Sequence, residues 1–197
     1  KLRPDESRYL EADSSGAAAA RREAAGIASH DRVVAVHPGS TWPTKKWFEH
    51  RFRDLCRRLV KDGFKVVIVG GGADRELCAR LASESGAADL SGGTLSELKS
   101  LMGRLSLFVT NDSGPMHVSA ASGVPTLAIF GPTTRELGFF PYGPGHRVLE
   151  VDLACRPCAL HGGRSCPQGH FLCMGLITTD LAYRACREML GRHCESR

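Results

Sequence analysis

The sequence predicts an α/β fold built on a doubly wound parallel sheet. Three observations carry this. Short apolar runs alternate with amphipathic stretches along most of the chain. The runs are continuous rather than alternating (Val33-Val34-Ala35-Val36, Val66-Val67-Ile68-Val69, Leu127-Ala128-Ile129-Phe130), as in strands covered on both faces. A strand–helix–strand order with right-handed crossovers then places helices on both sides of one sheet.

Each element has a local reason. Ala17 to Ile27 is rich in helix formers, with Ser14 and Ser15 as candidate caps. Val33 to Val36 is the first strand. Trp47 to Lys61 sets Phe48, Phe52, Leu55 and Leu59 at helical spacing, and Gly63 stops that helix. Lys65 to Val69 is the second strand, and Ala73 to Ser83 is a helix carrying Leu77 and Leu81. Leu95 to Leu101 is a short helix and Ser106 to Val109 a strand. A helix follows from Pro115 to Ser122, then a strand from Pro125 to Phe130, and Arg147 to Val151 reads as an edge strand. Thr178 to Leu190 closes with a helix capped by Thr178 or Thr179, with Asp180 in its first turn.

Composition bounds the function. The 26 Lys+Arg exceed the 21 Asp+Glu, giving a net charge of +5. This mild excess suits phosphorylated small molecules and is far from the dense basic blocks of a nucleic-acid binder. Hydrophobic residues at 42% and charged residues at 24% exclude wholesale disorder. No stretch approaches the ~18 apolar residues of a membrane span. Residues 1–30 are expected to form an interdomain linker and N-terminal helix, and residues 31–197 a single ligand-binding domain. The opening, Lys1-Leu2-Arg3-Pro4, has no start methionine and no apolar leader, and is expected to follow a preceding domain. Scattered cysteines and the absent leader point to a cytoplasmic protein.

Ligands of doubly wound sheets bind outside the carboxyl ends of the strands. The loop after the first strand, His37-Pro38-Gly39-Ser40-Thr41-Trp42-Pro43-Thr44-Lys45-Lys46-Trp47, offers hydroxyls, free amides and two lysines before a helix. Those are diphosphate-binding groups. The Gly70-Gly71-Gly72-Ala73-Asp74 turn fits neither G-x-G-x-x-G nor a Walker A loop, but leaves room for a ligand, with Asp74 or Glu76 able to meet ribose hydroxyls. Thr110-Asn111-Asp112-Ser113-Gly114-Pro115-Met116-His117 combines N-cap residues with more polar groups than a cap needs. Gly131-Pro132-Thr133-Thr134 reads as a further hydroxyl-bearing rim.

Four segments in this order closely resemble glycosyltransferase family 9, the ADP-heptose:lipopolysaccharide heptosyltransferases, and in particular its type II members. They are His37-Pro38-Gly39-Ser40 with Lys45-Lys46-Trp47, Thr110 to His117, Gly123-Val124-Pro125-Thr126, and Ile129-Phe130-Gly131-Pro132-Thr133. The resemblance covers about Val33 to Leu190. It implies a GT-B architecture of two Rossmann-like domains, of which this chain is similar to the C-terminal, nucleotide-sugar-binding one. It further implies an inverting transfer of heptose from ADP-heptose to the lipopolysaccharide inner core, with no cofactor required for catalysis and with peripheral association at the inner face of the cytoplasmic membrane. Ser40, Thr41 and Lys45 match positions that contact the donor diphosphate, with Lys46 as the alternative lysine because the spacing varies in the family. Asp74 matches an acidic position near the nucleoside, and Thr94 or Gly93 falls where adenine is approached. Asp112, Ser113, Gly114 and His117 match the loop holding phosphate and sugar. The general base and the acceptor contacts are expected in an N-terminal domain outside this chain, so the chain alone is expected to be inactive.

The chemistry agrees with that role. Departure of ADP needs its developing charge neutralised, which Lys45 and helix-terminal amides near Ser113 and Gly114 can do without a metal. Asp112 would repel phosphates and is assigned to loop geometry or sugar hydroxyls, and His117 to a phosphate oxygen. Cys155-x₂-Cys158-x₇-Cys166-x₆-Cys173 lies within a cysteine-rich loop, 153–175, and leaves three alternatives open: a structural zinc site, disulfides, or free thiols. Arg156, Arg164 and His170 of that loop are candidate contacts for an anionic acceptor. Two other readings remain: a nucleotide-sugar-binding module without catalysis, and an NAD-binding oxidoreductase domain, which lacks a clean G-x-G-x-x-G.

Overall fold

A computed structural model describes residues 16–28 and 30–192. The expected linker and the caps Ser14 and Ser15 lie outside the described residues. Six strands form one parallel sheet: β1 (Val33–His37), β2 (Lys65–Ile68), β3 (Ala88–Asp89), β4 (Leu105–Asn111), β5 (Thr126–Ile129) and β6 (Arg147–Leu149). Their spatial order is β3-β2-β1-β4-β5-β6, that of Rossmann dinucleotide-binding sheets. The chain reverses direction across the sheet between β1 and β4, where Val36 pairs with Val109 and His37 with Thr110.

The helices are α1 (Ala17–Ala24), α2 (Glu49–Lys61), α3 (Arg75–Ser85), α4 (Leu95–Met102), α5 (Gly114–Ala121), α6 (Leu172–Gly175) and α7 (Thr179–Arg192). Alternate strand residues feed two cores, as strand periodicity requires. Val34, Val36, Val66, Ile68, Val109 and Ile129 face one side, against Phe52, Leu55 and Leu59 of α2, Leu81 of α3, and Ala185 and Cys186 of α7. Val33, Ala35, Val67, Val69 and Phe108 face the other, against Leu101 and Met102 of α4. Ala128 and Phe130 extend that side over Met116 of α5. All five residues of β1 are buried, which accounts for the continuous apolar run read in the sequence.

Local signals place several ends. Thr94 caps α4 in a reciprocal box with Glu97: the Glu97 amide donates to Thr94 Oγ1 at 3.2 Å, and the Thr94 amide to Glu97 Oε2 at 2.6 Å. Thr178 Oγ1 accepts from the Leu181 amide at 3.2 Å, so Thr178 is the cap foreseen for α7. The sequence reading missed β3 and α6. It also began the second helix early, over the extended Phe48, and the third over a short 3₁₀ turn at Gly72–Asp74. Among the described residues, no helix is long and apolar enough to cross a membrane.

Candidate donor-binding site

The site lies at the sheet's switch point, where the loops after β1 and β4 separate. Asn111, at the end of β4 and fully buried, joins them. Its Nδ2 donates to Pro38 O at 2.8 Å and Gly39 O at 3.1 Å, and its Oδ1 accepts from the Trp47 amide at 3.0 Å. One amide side chain therefore fixes both ends of the β1–α2 loop. Trp47 is anchored in turn through Nε1 to Ile177 O at 2.9 Å.

The anchored loop delivers Lys45 to a buried position, 8% exposed. Its Nζ lies 2.6 Å from Asp112 Oδ2, and Thr133 Oγ1 donates to that same oxygen at 2.6 Å. Burying an ammonium is costly unless it is paired and hydrogen-bonded, and here it is both. This corrects two expectations. Neither Asp112 nor Ser113 makes a side-chain cap on α5. The Asp112 carboxylate is drawn to Lys45 instead, while Ser113 Oγ contacts Thr110 Oγ1 at 3.2 Å and His37 Nδ1 at 3.4 Å. The turn after β5 is also not a rim: Thr133 is buried with its hydroxyl turned onto Asp112.

Two cavities flank this junction. A polar one of about 250 Å³ is lined by Ser40, Thr41, Trp42, Lys45, Asp112, Ser113, Gly114 and His117, together with Phe139 and His161. A mostly apolar one of about 180 Å³ is lined by Val69, Leu90, Gly93, Thr94, Leu98 and Pro115, with Arg21, Arg22, His37 and Glu97 also on its wall. Seven of the nine expected ligand residues thus meet in the polar cavity, and an eighth, Thr94, lines the apolar one together with its alternative Gly93. Asp74 lines neither. It turns toward the β1–α2 loop, 3.9 Å from both His37 Nε2 and Lys46 Nζ. A Cβ on Gly39 would lie 2.3 Å from its Oδ2, so that approach needs glycine. Lys46 is the more exposed lysine and lines neither cavity, so Lys45 is the one aimed at the polar site.

His37 is on the wall of the apolar cavity, 4% exposed, with Nδ1 3.2 Å from Thr110 Oγ1. Burial pushes its pKa down to about 4, partly opposed by the nearby Asp74 carboxylate and reinforced by Lys46. It is therefore neutral at pH 7. Sequence reading passed over His37 and Asn111 as site-shaping groups. The only signal was their place at strand ends, where an inward polar side chain has no partner within its own strand.

The cysteine-rich loop packs against this site. Among the described residues, no group of three or more His, Cys, Asp or Glu side chains is arranged to hold a metal ion, and the seven described cysteines are free. Cys158, Cys166 and Cys173 line a small cavity of about 30 Å³, but Cys155 is not among its walls and stands 4.0 Å from His170 Nε2. The structural zinc and disulfide alternatives are thus unsupported, and free thiols in a packed loop remain. The loop's visible contribution is a clamp: Thr44 Oγ1 donates to Gly163 O at 2.9 Å, and the Thr44 amide donates to the same oxygen at 3.2 Å. Arg156 is not free for an acceptor, because its guanidinium donates to the carbonyls of Gly131, Val151 and Thr133 and to Glu150.

The profile of glycosyltransferase family 9 (heptosyltransferase) matches residues 3–166. The chain belongs to glycosyltransferase family 9. It is 29% identical over 166 residues to lipooligosaccharide heptosyltransferase 2 of Campylobacter jejuni, an alignment covering 81% of this chain and 51% of that protein. The chain thus spans about half the length of the curated relative it matches. A family 9 glycosyl transferase from Veillonella parvula superposes with a TM-score of 0.75 at 27% identity, over 89% of this chain and 50% of that one. The Escherichia coli ADP-heptose LPS heptosyltransferase II superposes with a TM-score of 0.73 at 23% identity, over 91% and 53% respectively, a likeness of fold.

Proposed function

We propose that this chain is the donor-binding half of an inverting, GT-B heptosyltransferase that takes ADP-heptose and adds heptose to the lipopolysaccharide inner core in the cytoplasm, at the inner face of the membrane. The observation that carries this is the buried Lys45 ammonium, held by Asp112 at 2.6 Å on the wall of a polar cavity beside an apolar one. An adenosine diphosphate has the matching division. Its flat base suits the apolar cavity between Leu90, Thr94 and Pro115, and its diphosphate suits the polar one.

In this reading, Lys45 and the amide end of α5 at Gly114 meet the negative charge that develops on ADP as the glycosidic bond breaks. Removing one such donor typically costs about 10²–10³ in rate. Ser40, Thr41 and His117 contribute donors to the diphosphate or sugar. Asp112 acts through Lys45 rather than on phosphate, and Asp74 shapes the loop beside the nucleoside. The acceptor and the general base belong to a partner domain facing this cleft.

Calorimetry tests the reading. ADP is expected to bind, with UDP and NAD weaker, and Lys45→Ala is expected to weaken ADP by about 10- to 100-fold, the value of a hydrogen bond to a charged group. Heptose transfer is expected only when an acceptor domain is present. Preference for NAD over ADP, or unaltered ADP affinity in Lys45→Ala, would overturn it.

A further inference from the structure

We infer that Thr133 is a positioning residue for the donor site, setting the Lys45 ammonium through Asp112. The inference rests on the donor-site reading above and adds to it a residue that touches no ligand. Thr133 is fully buried and lines neither cavity. Its hydroxyl and the Lys45 ammonium meet the same carboxylate oxygen, Asp112 Oδ2, each at 2.6 Å.

A lysine ammonium ends a flexible four-carbon stem and carries three donors without a preferred plane. Its position is set by what holds it. Asp112 takes one N–H, and a ligand in the polar cavity can take those that Asp112 does not. Asp112 needs fixing too, since a carboxylate turns freely about its terminal torsion. The Thr133 hydroxyl supplies that constraint as a charge-assisted hydrogen bond.

Thr133 is itself immobilised. Arg156 Nη2 donates to Thr133 O at 2.7 Å and to Glu150 Oε2 at 2.8 Å, and Arg156 Nε reaches Gly131 O. The Cys158 amide also donates to Pro132 O at 3.0 Å. The cysteine-rich loop is thereby connected to Lys45 through a continuous set of polar contacts: Arg156, the Thr133 turn, Asp112, Lys45. The loop bears on the donor site through placement rather than chemistry.

The test is a double-mutant cycle read by ADP binding, with thermal melting followed on each variant. Thr133→Val keeps the shape and removes the hydroxyl. It is expected to weaken ADP about tenfold, in line with a lost hydrogen bond to a charged group. Thr133→Ser keeps the hydroxyl and is expected to restore most of that affinity. In a Lys45→Ala background, Thr133→Val is expected to cost nothing further, because its effect acts through the lysine. A role in folding alone predicts equal losses in both backgrounds, and that additivity would overturn the inference. A second arm needs no ligand: the Lys45 ammonium ¹⁵N resonance is expected to be slowly exchanging in wild type and Thr133→Ser, and lost to fast exchange in Thr133→Val. An unchanged resonance in Thr133→Val overturns the inference. Wild type that fails to bind ADP overturns the donor-site reading instead.

Discussion

The buried His37 makes a quantitative demand on stability as a function of pH. In the folded protein its pKa is lowered from 6.5 to about 4, chiefly by burial. The unfolded chain takes up a proton as pH falls through about 6.5, and the folded chain does not until about 4. Between those values the unfolded state binds more protons, so stability falls with acidification and rises with pH. Above about 6.5 both states are neutral at this position and it contributes no slope. The interval from 6.5 to about 4, at about 1.36 kcal/mol per pH unit, is worth about 3 kcal/mol in full. The portion between pH 7 and pH 5 is about 2 kcal/mol. The perturbation is His37→Gln, which retains a polar side chain and cannot titrate. Urea unfolding at pH 7 and pH 5 is measured for both proteins. Wild type is expected to lose about 2 kcal/mol more than His37→Gln over that range. His146, also lowered by burial, acts in both proteins and cancels in the comparison. Asp62 and Glu97, lowered by hydrogen bonds from Tyr183 and from the Thr94 backbone, lose their contributions only at more acidic pH. Equal losses in the two proteins would refute the reasoning, and with it the neutral state of His37.

Three other outcomes follow from the packing. Gly39→Ala places a Cβ 2.3 Å from Asp74 Oδ2, so it is expected to destabilise by about 1–3 kcal/mol, with Asp74→Ala restoring part of the loss in urea titrations. Phe52→Ala empties a fully buried site between α2 and the sheet and is expected to cost about 3–5 kcal/mol by the same assay. Asn111→Ala releases the hydrogen bonds to Pro38, Gly39 and Trp47 and is expected to weaken ADP by at least about tenfold, seen calorimetrically.

The sheet was legible in the sequence because the middles of β1, β2, β4 and β5 are buried on both faces, so each holds a short unbroken apolar run. β3 was not, since two residues, Ala88 and Asp89, give no pattern to read. Local capping grammar misled at Asp112 and Ser113. The Asp112 carboxylate pairs with a lysine 67 positions earlier in the chain, and the Ser113 hydroxyl turns to Thr110 and His37, so long-range partners outcompete a cap at both. The cluster of Ser40, Thr41, Lys45, Asp112, Ser113, Gly114 and His117 could be listed from its motifs, and its convergence depends on β1 and β4 being neighbours at the switch point. Thr133 looked like a rim hydroxyl because nothing in Gly131-Pro132-Thr133-Thr134 records which way the side chain turns. The cysteine spacing suggested a tetrahedral site, yet among the described residues no three His, Cys, Asp or Glu side chains are arranged to hold a metal ion.

An amide-resolved NMR titration with ADP addresses the central claim most directly. The account predicts saturable shifts concentrated at Ser40, Thr41, Ser113 and Gly114 around the polar cavity, and at Gly93 and Thr94 around the apolar one. Saturable shifts confined to another surface, with those six amides unmoved, would contradict it.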